Sequence, residues 1–168
     1  MNKQTLTNQG FTSETEIWCS AGFYKTIQEL LDKGESFITD SLMEDDVAFI
    51  TNVAHITPRV DKVVELIEVT YGGKVSLGVE QAITVRCTPD QKFLTCYENS
   101  GKMYYSNDTL LWKEASKLKP GIRLVAEDAN IEVKEVKKVT VPETEVFSVT
   151  TTKDSSFSIR LGVIVRGE

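Results

Sequence analysis

The chain has 168 residues, 40% of them hydrophobic and 26% charged, an ordinary globular composition and enough length to bury one core. Its formal net charge of −6 argues against a nucleic-acid backbone as the main partner. Residues 1–18 lack the apolar core of a secretory signal, and no run is long and apolar enough for a membrane-spanning helix. Three cysteines without a close pairing pattern suit a reducing compartment, so a cytoplasmic location is expected.

Residues 1–17 are rich in Thr, Asn, Gln, Ser and Glu and read as a polar lead-in, either partly extended or disordered. Thr26-Ile27-Gln28-Glu29 is a capping box, and Ile27, Leu30 and Leu31 follow at helical spacing up to Gly34, which predicts a short helix. The run Glu44-Asp45-Asp46 reads as a solvated loop or strand edge. From 47 to 95 the pattern is strands: 60–69 is β-branched, and Gly72-Gly73 signals a hairpin turn. Val75, Leu77 and Val79 alternate, as do Ile83, Val85 and Cys87. Asn99-Ser100-Gly101 marks another turn, and Leu111, Ala115 and Leu118 fit a second short helix ended by Pro120-Gly121. In the last third, Ile131 and Val133 alternate and Val136 and Val139 step by three, which predicts bulges. Phe147 and Val149, then Phe157, Ile159 and Leu161, predict a final strand pair around Lys153-Asp154-Ser155. Many short strands with two short helices describe an all-β domain. Lys134, Lys137 and Lys138 alternate with Glu132 and Glu135 and read as a solvated strand face.

Several collinear pieces carry a resemblance. They are Cys19, the helix start Thr26-Ile27, the run Thr88-Pro89-Asp90-Gln91-Lys92-Phe93-Leu94-Thr95, the series Trp112, Ala115, Leu118 and Gly121, the strand Glu145-Val146-Phe147-Ser148-Val149, and the ending Gly162-Val163-Ile164-Val165-Arg166-Gly167. In this order they resemble the Hint domain of inteins and hedgehog autoprocessing proteins. The resemblance implies an all-β, horseshoe-shaped, pseudo-symmetric domain over 18–168, following a lead-in over 1–17.

It also implies a chemistry, and this chain departs from it. A Cys or Ser opens such a domain and attacks the preceding carbonyl, so the resemblance implies a thioester between Cys19 and Trp18. The Thr and His of the middle motif hold and protonate the scissile amide; here they read Thr88 and Gln91. A carboxamide donates and accepts hydrogen bonds but cannot exchange a proton near neutral pH. The closing His-Asn reads Arg166-Gly167. Arginine stays protonated, and glycine has no side chain to cyclise. Ser148 stands where the family often has Asp or Cys.

Cys19, Thr88, Gln91, Ser148, Arg166 and Gly167 are therefore the candidate positions of a degenerate site. Taken without the resemblance, Cys19 reads as a small buried hydrophobe. Cys19, His55, Cys87 and Cys96 have the types for zinc but no Cys-x-x-Cys pair, so no metal and no cofactor are expected. Trp18, Trp112, Tyr104 and Tyr105 suit either packing or a contact surface. The expected function is a module that cannot splice and serves a structural or protein-interaction role, in the cytoplasm or in a virion if phage-encoded, docking on a protein partner or larger assembly through residues 1–17. The alternative is slow autoprocessing at Trp18–Cys19.

Overall fold

In a computed structural model, the described residues are 9–19, 23–33, 38–44, 47–51, 54–58, 63–74, 78–96, 110–126, 131–151 and 156–167. Strands dominate them: β1 (Glu16–Cys19), β2 (Phe23–Thr26), β3 (Ile38–Glu44), β4 (Val47–Thr51), β5 (Ala54–Pro58), β6 (Val63–Lys74), β7 (Glu80–Cys87), β8 (Lys92–Cys96), β9 (Leu110–Glu114), β10 (Arg123–Leu124), β11 (Glu132–Thr144), β12 (Phe147–Thr151), β13 (Ser156–Ile159) and β14 (Val163–Arg166). One α-helix, α1 (Ile27–Lys33), lies among them. The strands run in a curled sheet in the order β4-β3-β1-β13-β14-β8-β10-β11-β6-β7, with β2 on β1 and β9 on β8; β12 and β5 pair separately.

The helix starts where the capping box predicts. The Glu29 N–H donates to Thr26 Oγ1 at 3.1 Å and the Thr26 N–H to Glu29 Oε1 at 3.0 Å. Ile27 and Leu30 are buried on its inner face. Gly34, the expected stop, lies outside the described residues, as do Asp45, Asp46 and the turn 99–101.

The second expected helix is absent. Leu110–Glu114 is a strand paired along all of β8, from Lys92 opposite Glu114 to Cys96 opposite Leu110. Only a single 3-10 turn, Ala115–Lys117, follows it. Spacing alone favoured a helix, but Leu111 is 46% exposed and shares no face with buried Ala115 and Leu118. Satisfying the edge of β8 outweighs three apolar residues at helical intervals.

Gly72-Gly73 is also not a turn. Both residues lie inside β6, opposite Ala82 and Gln81 of β7, and the pairing continues to Lys74 opposite Glu80; Val75 and Leu77 lie outside the described residues. The glycine at 72 serves close approach instead, because a Cβ there would stand 2.0 Å from the Gln81 carbonyl oxygen. The bulges expected from the Val136–Val139 step fall on either side of it: the register with β6 is unbroken from Glu135 to Thr140 and shifts between Val133 and Glu135 and between Thr140 and Thr144. The two strands expected around Lys153-Asp154-Ser155, which lie outside the described residues, are present as β12 and β13; β12 pairs with β5, and β13 pairs with β14 and β1.

The main core gathers Phe11, Ile17, Tyr71, Phe93, Phe157 and Ile159. Phe11 meets Phe93 and Phe157 edge-on, each at a centroid distance of 6.1 Å. On the other face of β8, Leu94 packs with Val125, Ile164 and Trp112. Burial on both faces makes β8 the centre of the sheet. It places the β7–β8 connection, which carries Thr88 and Gln91, in the interior. Phe11 and Ile17 show that residues 9–17 of the sequence-defined lead-in belong to the packed body.

Candidate functional site

The connection Thr88-Pro89-Asp90-Gln91 is a tight turn. The Gln91 N–H donates to the Thr88 carbonyl at 3.1 Å, and both residues are buried. The 3-10 turn closes over it, with Ala115 N–H donating to the Gln91 carbonyl at 2.8 Å and Ser116 N–H to the Pro89 carbonyl at 3.0 Å. Just before it, burial first and the Asp90 carboxylate second hold the Cys87 thiol protonated far above its ordinary range. That thiol donates to the Ile67 carbonyl and is structural rather than nucleophilic.

The closing strand reaches the same place. Val165 of β14 pairs with Phe93, which brings Arg166-Gly167 beside Gln91. The Gln91 carboxamide donates to the Arg166 carbonyl at 2.8 Å and to the Lys92 carbonyl at 3.1 Å. The Arg166 guanidinium lies over the Trp112 ring at 5.3 Å.

A third segment, Gln9–Thr12, threads between β7 and β12. Phe11 exchanges backbone hydrogen bonds with Phe147, and Thr12 N–H donates to the Arg86 carbonyl. Thr88 N–H donates to the Gly10 carbonyl at 3.0 Å. The decisive contacts fall on one peptide bond. The Gly10 N–H donates to Thr88 Oγ1 at 3.1 Å, and the Ser148 hydroxyl donates to the Gln9 carbonyl at 2.8 Å. Both polar ends of the Gln9–Gly10 amide are therefore held by buried side-chain hydroxyls. The Lys92 N–H fixes the Gln9 side chain by donating to its Oε1 at 3.2 Å. Gln9, Gln91, Ser148, Arg166 and Gly167 line one cleft, and the space between them is too small for a water molecule.

Thr88, Gln91, Ser148, Arg166 and Gly167 are thus brought together. The side chain of Cys19 lies outside the described set. Its backbone ends β1 and pairs with Phe23 of β2 and Ile38 of β3. The preceding Trp18 packs edge-on against Tyr24 at 5.0 Å, a hairpin contact. The amide gripped by the middle motif is Gln9–Gly10, nine positions upstream of the bond read from the sequence.

Gly10 and Gln9 are the site residues that sequence reasoning missed. A search for nucleophiles passes over a glycine, and no local pattern marks this one. Its requirement is tertiary: a Cβ at Gly10 would stand 2.9 Å from the Phe147 carbonyl oxygen. Among the described residues, no three His, Cys, Asp or Glu side chains gather as metal ligands. The side chain of His55 and residues Tyr104 and Tyr105 lie outside the described set.

No family model matches the sequence, and no curated protein matches it. Solved structures do. A bacterial intein-like domain from Clostridium thermocellum superimposes with a TM-score of 0.69 at 18% identity, over 94% of this chain and 98% of that one. An intein from a hyperthermophile gives 0.65 at 17% identity, over 94% and 99%. A DnaB intein from Synechocystis gives 0.56 at 18% identity, over 95% and 99%. The chain has the intein-like, Hint-type fold. The agreement lies in the fold, since identity is below one residue in five.

Proposed function

We propose that this intein-like domain does not splice and persists as an uncut structural or protein-interaction module. One observation carries the reading: the amide held by Thr88 precedes Gly10, which has no side chain to attack it. Acyl transfer from the Gln9 carbonyl needs a nucleophile at that position, and neither local pKa nor hydrogen bonding supplies a missing atom. Gly167 is likewise unable to cyclise. Arg166 keeps its charge and rests on Trp112, so it does not shuttle protons. Gln91 is engaged with the Arg166 carbonyl and offers no accessible pKa.

Autoprocessing at Trp18–Cys19 would need Thr88 and Gln91 at that bond, and they surround Gln9–Gly10 instead. In an interaction role, docking through residues 1–17 would not draw on Phe11 or Ile17, which are core residues.

Intact mass spectrometry of the purified chain, incubated with excess dithiothreitol or hydroxylamine, tests the reading. The expected result is an unchanged full-length mass. A fragment beginning at Gly10 or Cys19 would sink it.

A further inference from the structure

We infer that the outer edge of β7 is a self-docking surface, on which a second copy of this chain pairs antiparallel about Ala82. The residues involved, Glu80 to Thr84, are not those of the Gln9–Gly10 cleft. The inference therefore goes beyond the proposed function, and its test is independent of cleavage.

β7 ends the sheet order, with β6 on one side. In an antiparallel ladder alternate residues turn both backbone groups toward one neighbour, and the residues between them turn both away. The Arg86 carbonyl accepts from the Thr12 N–H at 3.1 Å, so Arg86 faces away from β6. The register with β6 is unbroken from Glu80 opposite Lys74 to Cys87 opposite Ile67. Thr84, Ala82 and Glu80, in steps of two from Arg86, therefore face away as well. The hydroxyls of Thr84 and Thr70, 2.8 Å apart, fit the closer side-chain spacing of such pairs. The Gly10–Thr12 segment covers this edge only from Arg86 onward, since Phe11 stands opposite Cys87 and the Thr12 carbonyl accepts from the Thr15 N–H. Among the described residues, nothing pairs with the outward N–H and C=O of Glu80, Ala82 and Thr84. These residues are exposed, so water bonds to their outward groups in the monomer.

A second β7 fits this edge. Protected edges carry lysine, proline or a bulge, whereas the middle of this one is Ala82, small and exposed. The charges sit at the ends, Glu80 and Arg86, and they are opposite in sign. Antiparallel pairing centred on Ala82 sets Glu80 opposite Thr84 of the second copy and Ala82 opposite Ala82. Every outward N–H and C=O from Glu80 to Thr84 then has a partner on the other strand. Glu80 of each copy also lies diagonal to Arg86 of the other, on the same exposed face. A centre at Ile83 would put Glu80 of the second copy opposite Arg86, where Thr12 already stands. A centre at Gln81 would leave Thr84 opposite Gly78, outside the strand. Thr12 thus sets the end of the open edge, and that end sets the register. The charges select the register more than they add affinity, because Arg86 already meets Glu68 and Glu80 lies 3.8 Å from Lys134, at exposed positions.

A single strand pair is a small interface, so sedimentation velocity of the full chain is run from about 10 µM to about 1 mM. The average mass should rise with concentration toward twice that of the monomer. Amide hydrogen exchange, read by NMR over the same range, locates the contact. The Ala82 and Thr84 amides should slow as concentration rises, while those of Ile83 and Val85, which face β6, should not change. A chain that stays monomeric overturns the inference, as does a dimer that leaves the Ala82 and Thr84 amides unchanged. Protection of those amides by an extended peptide of another protein, with none from the chain's own concentration, also overturns it.

Variants at position 82 test the register. Ala82→Pro removes an N–H that β6 does not use and should weaken the dimer by about 10-fold. Ala82→Lys and Ala82→Glu each set like charges face to face across the two-fold axis and should each weaken it by about 2-fold to 5-fold. An equal mixture of these two should associate again, because position 82 faces position 82. Near-ultraviolet circular dichroism follows folding. The Ala82 side chain is exposed, so the charged variants keep the test open if the proline variant does not fold. Charged variants that associate like the wild type, or a mixture no stronger than its components, overturn the inference.

Discussion

The centre built on Gln9–Thr12 and the outer ribbon of β6, β7 and β11 solve the same problem differently. Both must pair every backbone group of an extended strand. The ribbon does it by regular register, Ile67 opposite Cys87 through Lys74 opposite Glu80, with charged side chains outward. Its ion pairs, such as Arg86 with Glu68 at 2.9 Å and Lys138 with Glu65 at 3.4 Å, are solvent-facing. At the centre, no long ladder exists. Four residues of one segment reach β7, the β7–β8 connection, β8 and β12 through a few specific contacts. A region organised by regular pairing tolerates change at most positions, whereas one organised by unique partners does not.

Substitutions sharpen that contrast, beginning with the largest effect. Phe11→Ala empties the space between Phe93 and Phe157 and should cost about 3–5 kcal/mol in denaturant unfolding. A loss below about 1 kcal/mol would mean that the segment is a loose strap rather than part of the core.

Alkaline titration comes next. Burial raises the Cys87 and Tyr71 pKa values above their ordinary 9.0 and 10.0, with the nearby Asp90 and Tyr24 as secondary causes. The unfolded chain therefore loses these protons first. Stability should be flat in these groups below about pH 9 and fall above it, by up to about 1.4 kcal/mol per pH unit per group. Unfolding free energies between pH 8 and 10.5 measure the slope, and Cys87→Ser should flatten its first part. An unchanged slope in that variant would remove Cys87 from the account.

Thr26→Ala removes the helix cap and should cost about 1 kcal/mol, read from the same unfolding curves. The smallest effect belongs to the ribbon. Arg86→Ala breaks a pair whose side chains are 47% and 21% exposed and should cost less than about 1 kcal/mol, less still in high salt. A cost equal to that of Phe11→Ala would erase the distinction between the two regions.

How much was legible follows the reach of each interaction. The Thr26–Glu29 capping box spans three residues, and it was readable because both partners lie in one window. The β-branched runs made the all-β class evident, and the motifs around Thr88 and Arg166 led to residues that do converge. Gly10 stayed hidden because its partners are 78 and 139 residues away from it and from Gln9 respectively. The stretch 110–118 was misread for the same reason, since the bonding needs of β8 lie outside any window containing Leu111 and Ala115. A glycine pair inside β6 mimicked a turn because local chemistry cannot tell a bend from a close approach.

The amino-acid order alone determined the strand-rich character, the capped helix, and the absence of a side chain at Gly167. These are properties of residue types and near neighbours. Only the tertiary structure decided which peptide bond the middle motif grips, because that choice is made by hydroxyls and strand edges brought together from opposite ends of the chain. It set a glycine, not a cysteine, after the amide that Thr88 holds.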